Sequence, residues 1–263
     1  MSASPFAPAG RILAIASGKG GVGKTVMSAG LAHAFSMAGE RALLVDGDLG
    51  MANVDVQLGL TPDADLAAVL SGEVLLEDAA IPVLGGAFEK GGFHVISGRS
   101  GSGNLANLKR DAVNRLATGL AALALSYDRA ILDLAAGADH STIRLALAAD
   151  DVLIVINDEP TSLTDAYAFV KTLRRRDDGA APMVVVNNAP DEEAGRNAYL
   201  AFRKTCESFL SFAPPLAGIV RRDGKVPESI RAQQLPSALH PEAWIAKDLA
   251  ALAGSLAQTR KAA

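Results

Sequence analysis

The residues best suited to chemistry lie in one glycine run, Ser17-Gly18-Lys19-Gly20-Gly21-Val22-Gly23-Lys24-Thr25. The spacing is that of a G-x-x-x-x-G-K-[ST] loop, and it follows an apolar strand and opens a helix, the context in which that pattern cradles phosphates. Phosphate oxygens must be met by backbone N–H groups at close range, and glycines let the chain turn inward with no Cβ in the way. The helix beginning near Thr25 adds partial positive charge. Gly18, Lys19, Gly20, Gly21, Val22, Gly23, Lys24, Thr25 and Val26 are therefore the candidate ATP-binding residues. Lys24 is expected at the β and γ phosphates, and the Thr25 hydroxyl at a Mg²⁺ ion that keeps several waters.

Carboxylates recur where this loop would need them. Asp46 and Asp48 follow Ala42-Leu43-Leu44-Val45, and Asp133 closes Arg129-Ala130-Ile131-Leu132. Both runs read as strands, and the carboxyl ends of strands are where open α/β sheets bind ligands. Asp133 takes the position of a Walker B aspartate, Asp46 joins it in the magnesium surroundings, and Asp48 is the candidate for positioning the attacking water. A single strand-end aspartate could as well begin a turn. Together with a phosphate loop they point to hydrolysis.

Such a site needs a scaffold of alternating strands and helices. Short apolar runs at 11–16, 41–45, 129–132, 152–156, 183–186 and 216–220 alternate with helix-period segments at 25–38, 105–125, 161–175, 192–210 and 242–257. His94 to Ile96 could add a strand, Gly39 could stop the first helix, and 85–92 and 97–103 read as glycine-rich loops. Runs apolar at every position fit strands covered on both faces, so the expected fold is α/β: a doubly wound, mainly parallel sheet flanked by helices. A single domain is expected, with residues 1–10 and 258–263 as flexible tails. The chain is 49% hydrophobic with a formal net charge of −4, which argues against a protein that coats nucleic acid over its whole surface. The only cysteine, Cys206, excludes a disulfide framework and is expected to be a buried thiol. No secretory signal and no apolar run of membrane-spanning length is apparent, so a cytoplasmic protein is expected.

The additional lysine at the start of the loop, Lys19, makes it resemble the deviant Walker A motif of the MinD/ParA ATPases. The resemblance implies a P-loop fold of the SIMIBI class. It also implies that Lys19 crosses a dimer interface to the partner's nucleotide, so that two chains sandwich two ATP molecules. Three stretches, 46–55, 158–167 and 185–188, look more specifically like the FlhG/FleN branch, the flagellar number regulators. The first resembles switch I, the residues after Asp133 through Gly137 resemble switch II, and Pro160-Thr161 with Asp165-Ala166 match the family's Pro-Thr-x-x-x-Asp-Ala segment. By resemblance Asn187 ends a strand and reads the adenine edge, and Arg222 lies in a loop, 218–223, beside the base. In that loop Arg221 stands where relatives have proline, and Leu134 stands where relatives have Ser or Thr. The branch also implies a regulatory protein partner, an FlhF-type GTPase or a transcription regulator, although 1–10 shows no Asp-Gln-Ala activation segment.

Other readings compete at this level. A MinD-type division-site regulator would finish in a basic amphipathic helix on the membrane surface, whereas 244–252 carries one Trp and mostly alanine and reads as a helix packed on the domain. A ParA-type partition ATPase would hold DNA non-specifically, with Arg174, Arg175, Arg176, Arg221, Arg222, Lys225 and Arg231 as the candidate patch. Arginine clusters at helix ends more often complement the helix dipole. A scaffold that binds ATP without turnover is disfavoured by Lys24 and Asp48.

Overall fold

Along β1 (Arg11–Ser17), successive buried side chains go to opposite faces: Ile12, Ala14 and Ala16 join one apolar cluster, Leu13 and Ile15 the other. A strand apolar at every position needs cover on both sides, and the chain supplies it. In this computed structural model, which describes residues 10–48, 50, 52–98 and 110–259, the sheet is eight-stranded with the order β3-β4-β2-β5-β1-β6-β7-β8. The other strands are β2 (Ala42–Gly47), β3 (Ile81–Val83), β4 (Phe93–Ile96), β5 (Arg129–Ala136), β6 (Asp151–Ile156), β7 (Met183–Ala189) and β8 (Leu216–Arg221). Every pairing is parallel except that of β3 with β4.

Two of the helices cover one face. They are α1 (Lys24–Met37), through Met27, Leu31 and Phe35, and α10 (Trp244–Thr259), through Ile245, Leu249 and Leu252. The opposite face is covered by α4 (Arg110–Ala124), α5 (His140–Leu147), α6 (Pro160–Arg176) and α7 (Glu192–Leu210). Short helices α2 (Val54–Leu58), α3 (Leu66–Ser71), α8 (Lys225–Arg231) and α9 (Pro236–Leu239) fill the connections. Cys206 is fully buried on α7, and burial pushes its thiol up to about 11. Gly39, at φ +91°, follows the last turn of α1, as a left-handed C-terminal stop requires.

Strand β1 lies between β5 and β6, and the strand order reverses there, so its carboxyl end is the sheet's switch point and the phosphate loop emerges from it. Several boundaries differ from the sequence reading, and Asp46 lies inside β2 rather than beyond its strand. Asp133 does not close its strand: β5 runs on to Ala136 because β1 continues past a bulge and pairs Ser17 with Ala136. Asn187 likewise lies within β7, which continues to Ala189 and pairs there with Arg221. Gln258 and Thr259 belong to α10 rather than to a tail, while 105–109, 99–103 and 1–9 lie outside the described residues.

Candidate functional site: a phosphate-binding cleft

The loop between β1 and α1 owes its shape to glycines where a side chain would clash, at Gly18 and Gly23, or strain the backbone, at Gly21 and Gly23. Gly23 has φ +90°, and a Cβ there would come within 2.4 Å of Asn187 Nδ2; Gly21 has φ +78°. At Gly18 a Cβ would lie 2.0 Å from the backbone of Asp165 on α6. Val22 turns inward and is buried in the core. Gly23 precedes α1 without a side-chain cap, so the first amides of the helix face the loop's concave side.

A cleft of about 380 Å³ opens beside this loop, lined among others by Gly20, Gly21, Gly23, Lys24, Thr25, Val26, Asp46, Asp48 and Asp133. Lys24 Nζ donates to Ser17 Oγ at 2.9 Å, and that hydroxyl donates to the Lys19 carbonyl at 2.7 Å. Burial lowers the Lys24 pKa, opposed by Asp133 and Asp48; a phosphate would favour its charged form. Asp133 is fully enclosed, and burial pushes its carboxyl up to about 6 against the opposing pull of Thr25, Lys24 and Ser28, whose hydroxyl lies 3.0 Å from Oδ1. Asp46 is raised to about 7, first by burial and then by Asp133. Its Oδ1 accepts from the Asp48 amide at 3.1 Å, and its Oδ2 from those of Asn53 and Val54 at 2.9 and 3.0 Å. Asp46 therefore also clamps the start of α2, a role its position in the sequence did not suggest. Asp48 accepts from the Gly50 amide at 3.2 Å; Leu49 and Met51 lie outside the described residues.

These oxygens fit a hard divalent cation. Buried carboxylates raised toward neutrality regain their charge when a cation meets them, and the Thr25 hydroxyl stands at the head of α1 beside Asp133. Among the described residues no three His, Cys, Asp or Glu side chains form a metal cage. A cation here would thus rest on Thr25, phosphate oxygens and waters backed by Asp133 and Asp46, the habit of Mg²⁺.

Other expected site residues lie elsewhere. Lys19 does not enter the cleft; its Nζ is 2.6 Å from Glu159 Oε2 and 2.9 Å from Thr161 Oγ1, at the head of α6. Asn187 braces the loop from behind, its Nδ2 donating to the Val22 carbonyl at 2.7 Å, so its amide donor serves the loop rather than a base. Arg222 is exposed and meets Asn188 Oδ1 at 3.3 Å. Arg221, at the position of the family's proline, grips Asp248 on α10 through Nε and Nη2 at 3.0 and 2.6 Å and stacks on Trp244 at 3.8 Å. Sequence reasoning quoted Ser17 without a task and missed Ser28, since a serine becomes informative only when its partner in space is known.

The expected basic patch is divided between structural tasks. Arg174 donates to the Ala180 carbonyl and stacks on Phe212, Arg221 holds α10, and Lys225 pairs with Glu228. Arg175 and Arg176 close the last turn of α6, where cations complement the helix dipole. Helix α10 spends its apolar face on α1 and β8. Among the described residues no helix is long and apolar enough to cross a membrane.

Residues 13–236 match the CobQ/CobB/MinD/ParA nucleotide binding domain. The chain belongs to this family. It is similar to the antiactivator FleN of Pseudomonas aeruginosa, 37% identical over 224 residues that cover 85% of this chain and 78% of FleN. It is also similar to the flagellum site-determining protein YlxH of Helicobacter pylori, 27% identical over 94% of this chain and 81% of that one. Among solved structures, the septum site-determining protein MinD of Pyrococcus horikoshii, complexed with Mg-ADP, superposes with a TM-score of 0.76 at 26% identity, covering 94% of this chain and 95% of MinD. The fold is that of the MinD/ParA P-loop NTPases.

Proposed function

We propose that this protein is an ATP-dependent dimerising switch that hydrolyses ATP to ADP and phosphate and regulates the placement or number of flagella. The observation that carries the enzymatic part is the cleft in which the glycine loop, Lys24 and Thr25 face Asp46, Asp48 and Asp133. Lys24 and the loop amides hold the phosphates, and Asp48 orients the attacking water toward the terminal phosphate. Mg²⁺, when bound, neutralises charge on the phosphate oxygens, with Thr25 and Asp133 holding it in place. Asn187 meets the base through its amide oxygen, with Arg222 at the rim. Loss of the terminal phosphate relaxes the segment after Asp48, which Asp46 ties to α2. Similarity to YlxH and FleN supports the flagellar reading, and a regulatory protein partner and a cytoplasmic location follow from it.

In the single chain Lys19 is held by Glu159 and Thr161 on the surface, where an ion pair contributes little. Release toward a second chain is therefore inexpensive, and Lys19 reaches the partner's nucleotide only in the dimer. Sedimentation with Mg²⁺ and a non-hydrolysable ATP analogue tests this: the wild type shifts to a dimer, and Lys19→Ala binds the analogue but stays monomeric. A Lys19→Ala protein that dimerises like the wild type would remove Lys19 from the interface.

A further inference from the structure

One polar side chain in the cleft has no assigned task. Gln57 lies on α2, one turn after the residues whose amides Asp46 holds, and its own amide donates to the Asn53 carbonyl at 2.9 Å. It lines the same cleft as Lys24, Thr25, Asp48 and Asp133. Its Nε2 is buried without a hydrogen-bond partner. A buried amide donor left unpaired is costly and uncommon in a native fold, and it marks a position awaiting an acceptor.

None of the cleft's own acceptors bonds this Nε2. Asp46 takes three backbone amides, Asp133 has the Ser28 hydroxyl beside it, and Asp48 receives the amide of Gly50. A nucleotide's phosphate tail brings the opposite chemistry, since its oxygens are acceptors only. On the reading of the cleft given above, we propose that Gln57 is a phosphate-binding residue whose Nε2 donates to an oxygen of the terminal phosphate. The contact exists with ATP and is lost with ADP. Because α2 is fastened to Asp46 at its start and carries Gln57 one turn later, the helix is pinned from both ends only in the ATP state. Gln57 thereby discriminates triphosphate from diphosphate and reports the difference to the surface that α2 shares with Gln233, whose side chain bonds the Val56 carbonyl at 3.0 Å.

The test is calorimetry on the full chain with Mg²⁺ and either a non-hydrolysable ATP analogue or ADP, comparing wild type, Gln57→Leu and Gln57→Glu. Gln57→Leu keeps the size of the side chain and deletes the donor. It is expected to weaken the analogue by about tenfold or more, the loss of one hydrogen bond to a charged acceptor, while ADP affinity stays within about twofold. Gln57→Glu places a carboxylate before the phosphates and should weaken the analogue further. Side-chain ¹⁵N resonances give a second readout in the wild type: the Gln57 amide should shift on adding the analogue and not on adding ADP. Equal weakening of both nucleotides, or no weakening of either, overturns the proposal and leaves the cleft's identity intact. A wild type that binds neither nucleotide overturns the reading of the cleft itself.

Discussion

Gly23 shows how a single residue carries the site. Its φ of +90° lies in the left-handed region, and its missing Cβ is what lets Asn187 approach the loop. Gly23→Ala should cost about 1–3 kcal/mol for strained backbone alone and must also displace Asn187, so both melting temperature and nucleotide affinity should fall. Gly21→Ala is the matched control: φ is +78°, but nothing lies within 4 Å of the added carbon, so only the strain is paid. Thermal melts of both proteins check this, and equal losses would show that contact with Asn187 is unimportant. At this scale the glycine loop was legible in the sequence because its chemistry sits in contiguous residues. Ser28 was not, because its hydroxyl acquires meaning from Asp133, 105 positions away. Asn187 was found by resemblance, yet its donor braces Val22, a contact that spacing could not disclose.

At the scale of elements, the strands were readable where both faces are buried. The apolar runs of β1, β2 and β5 to β7 stand out against polar surroundings. Edge strand β3 did not, since it is three residues long and Pro82 at its centre has no N–H to donate, an acceptable loss only at an edge. Helices α2, α3, α8 and α9 span 4 to 7 residues, too few for a helical period to show. Helix α10 was read as packed on the domain from its composition, but its anchor lay in a departure from the family pattern. Arg221 holds it by two side-chain hydrogen bonds to Asp248 and by stacking on Trp244. Asp248→Ala should cost about 1–3 kcal/mol, since Arg221 then loses its charged acceptor. Chemical denaturation checks the value, and an unchanged midpoint would mean that the apolar face of α10 suffices alone.

For the whole molecule, the cleft couples stability to pH and to ligand. Asp46 and Asp133 have folded pKa values raised to about 7 and about 6, above the ordinary carboxylate value of 3.8. Between these limits the folded protein binds more protons than the unfolded chain, so these groups make the metal-free protein less stable as pH rises from about 4 to about 7. Mg²⁺ with nucleotide favours the ionised forms, so the rise in melting temperature on adding Mg-ADP should be larger at pH 7.5 than at pH 5.5. Melting curves at the two pH values check the sign, and greater protection at the lower pH would contradict it. The proposed dimer switch rests on the same cleft, through the loop, Lys24 and the aspartates of β2 and β5. Calorimetric titration of the wild type and of Lys24→Ala with ATP and Mg²⁺ tests it most directly. The expected result is saturable association of one nucleotide per chain in the wild type, weakened by about tenfold or more in the variant, which loses a charge-assisted contact to phosphate. A wild type with no measurable association, or a variant that binds equally well, would contradict it.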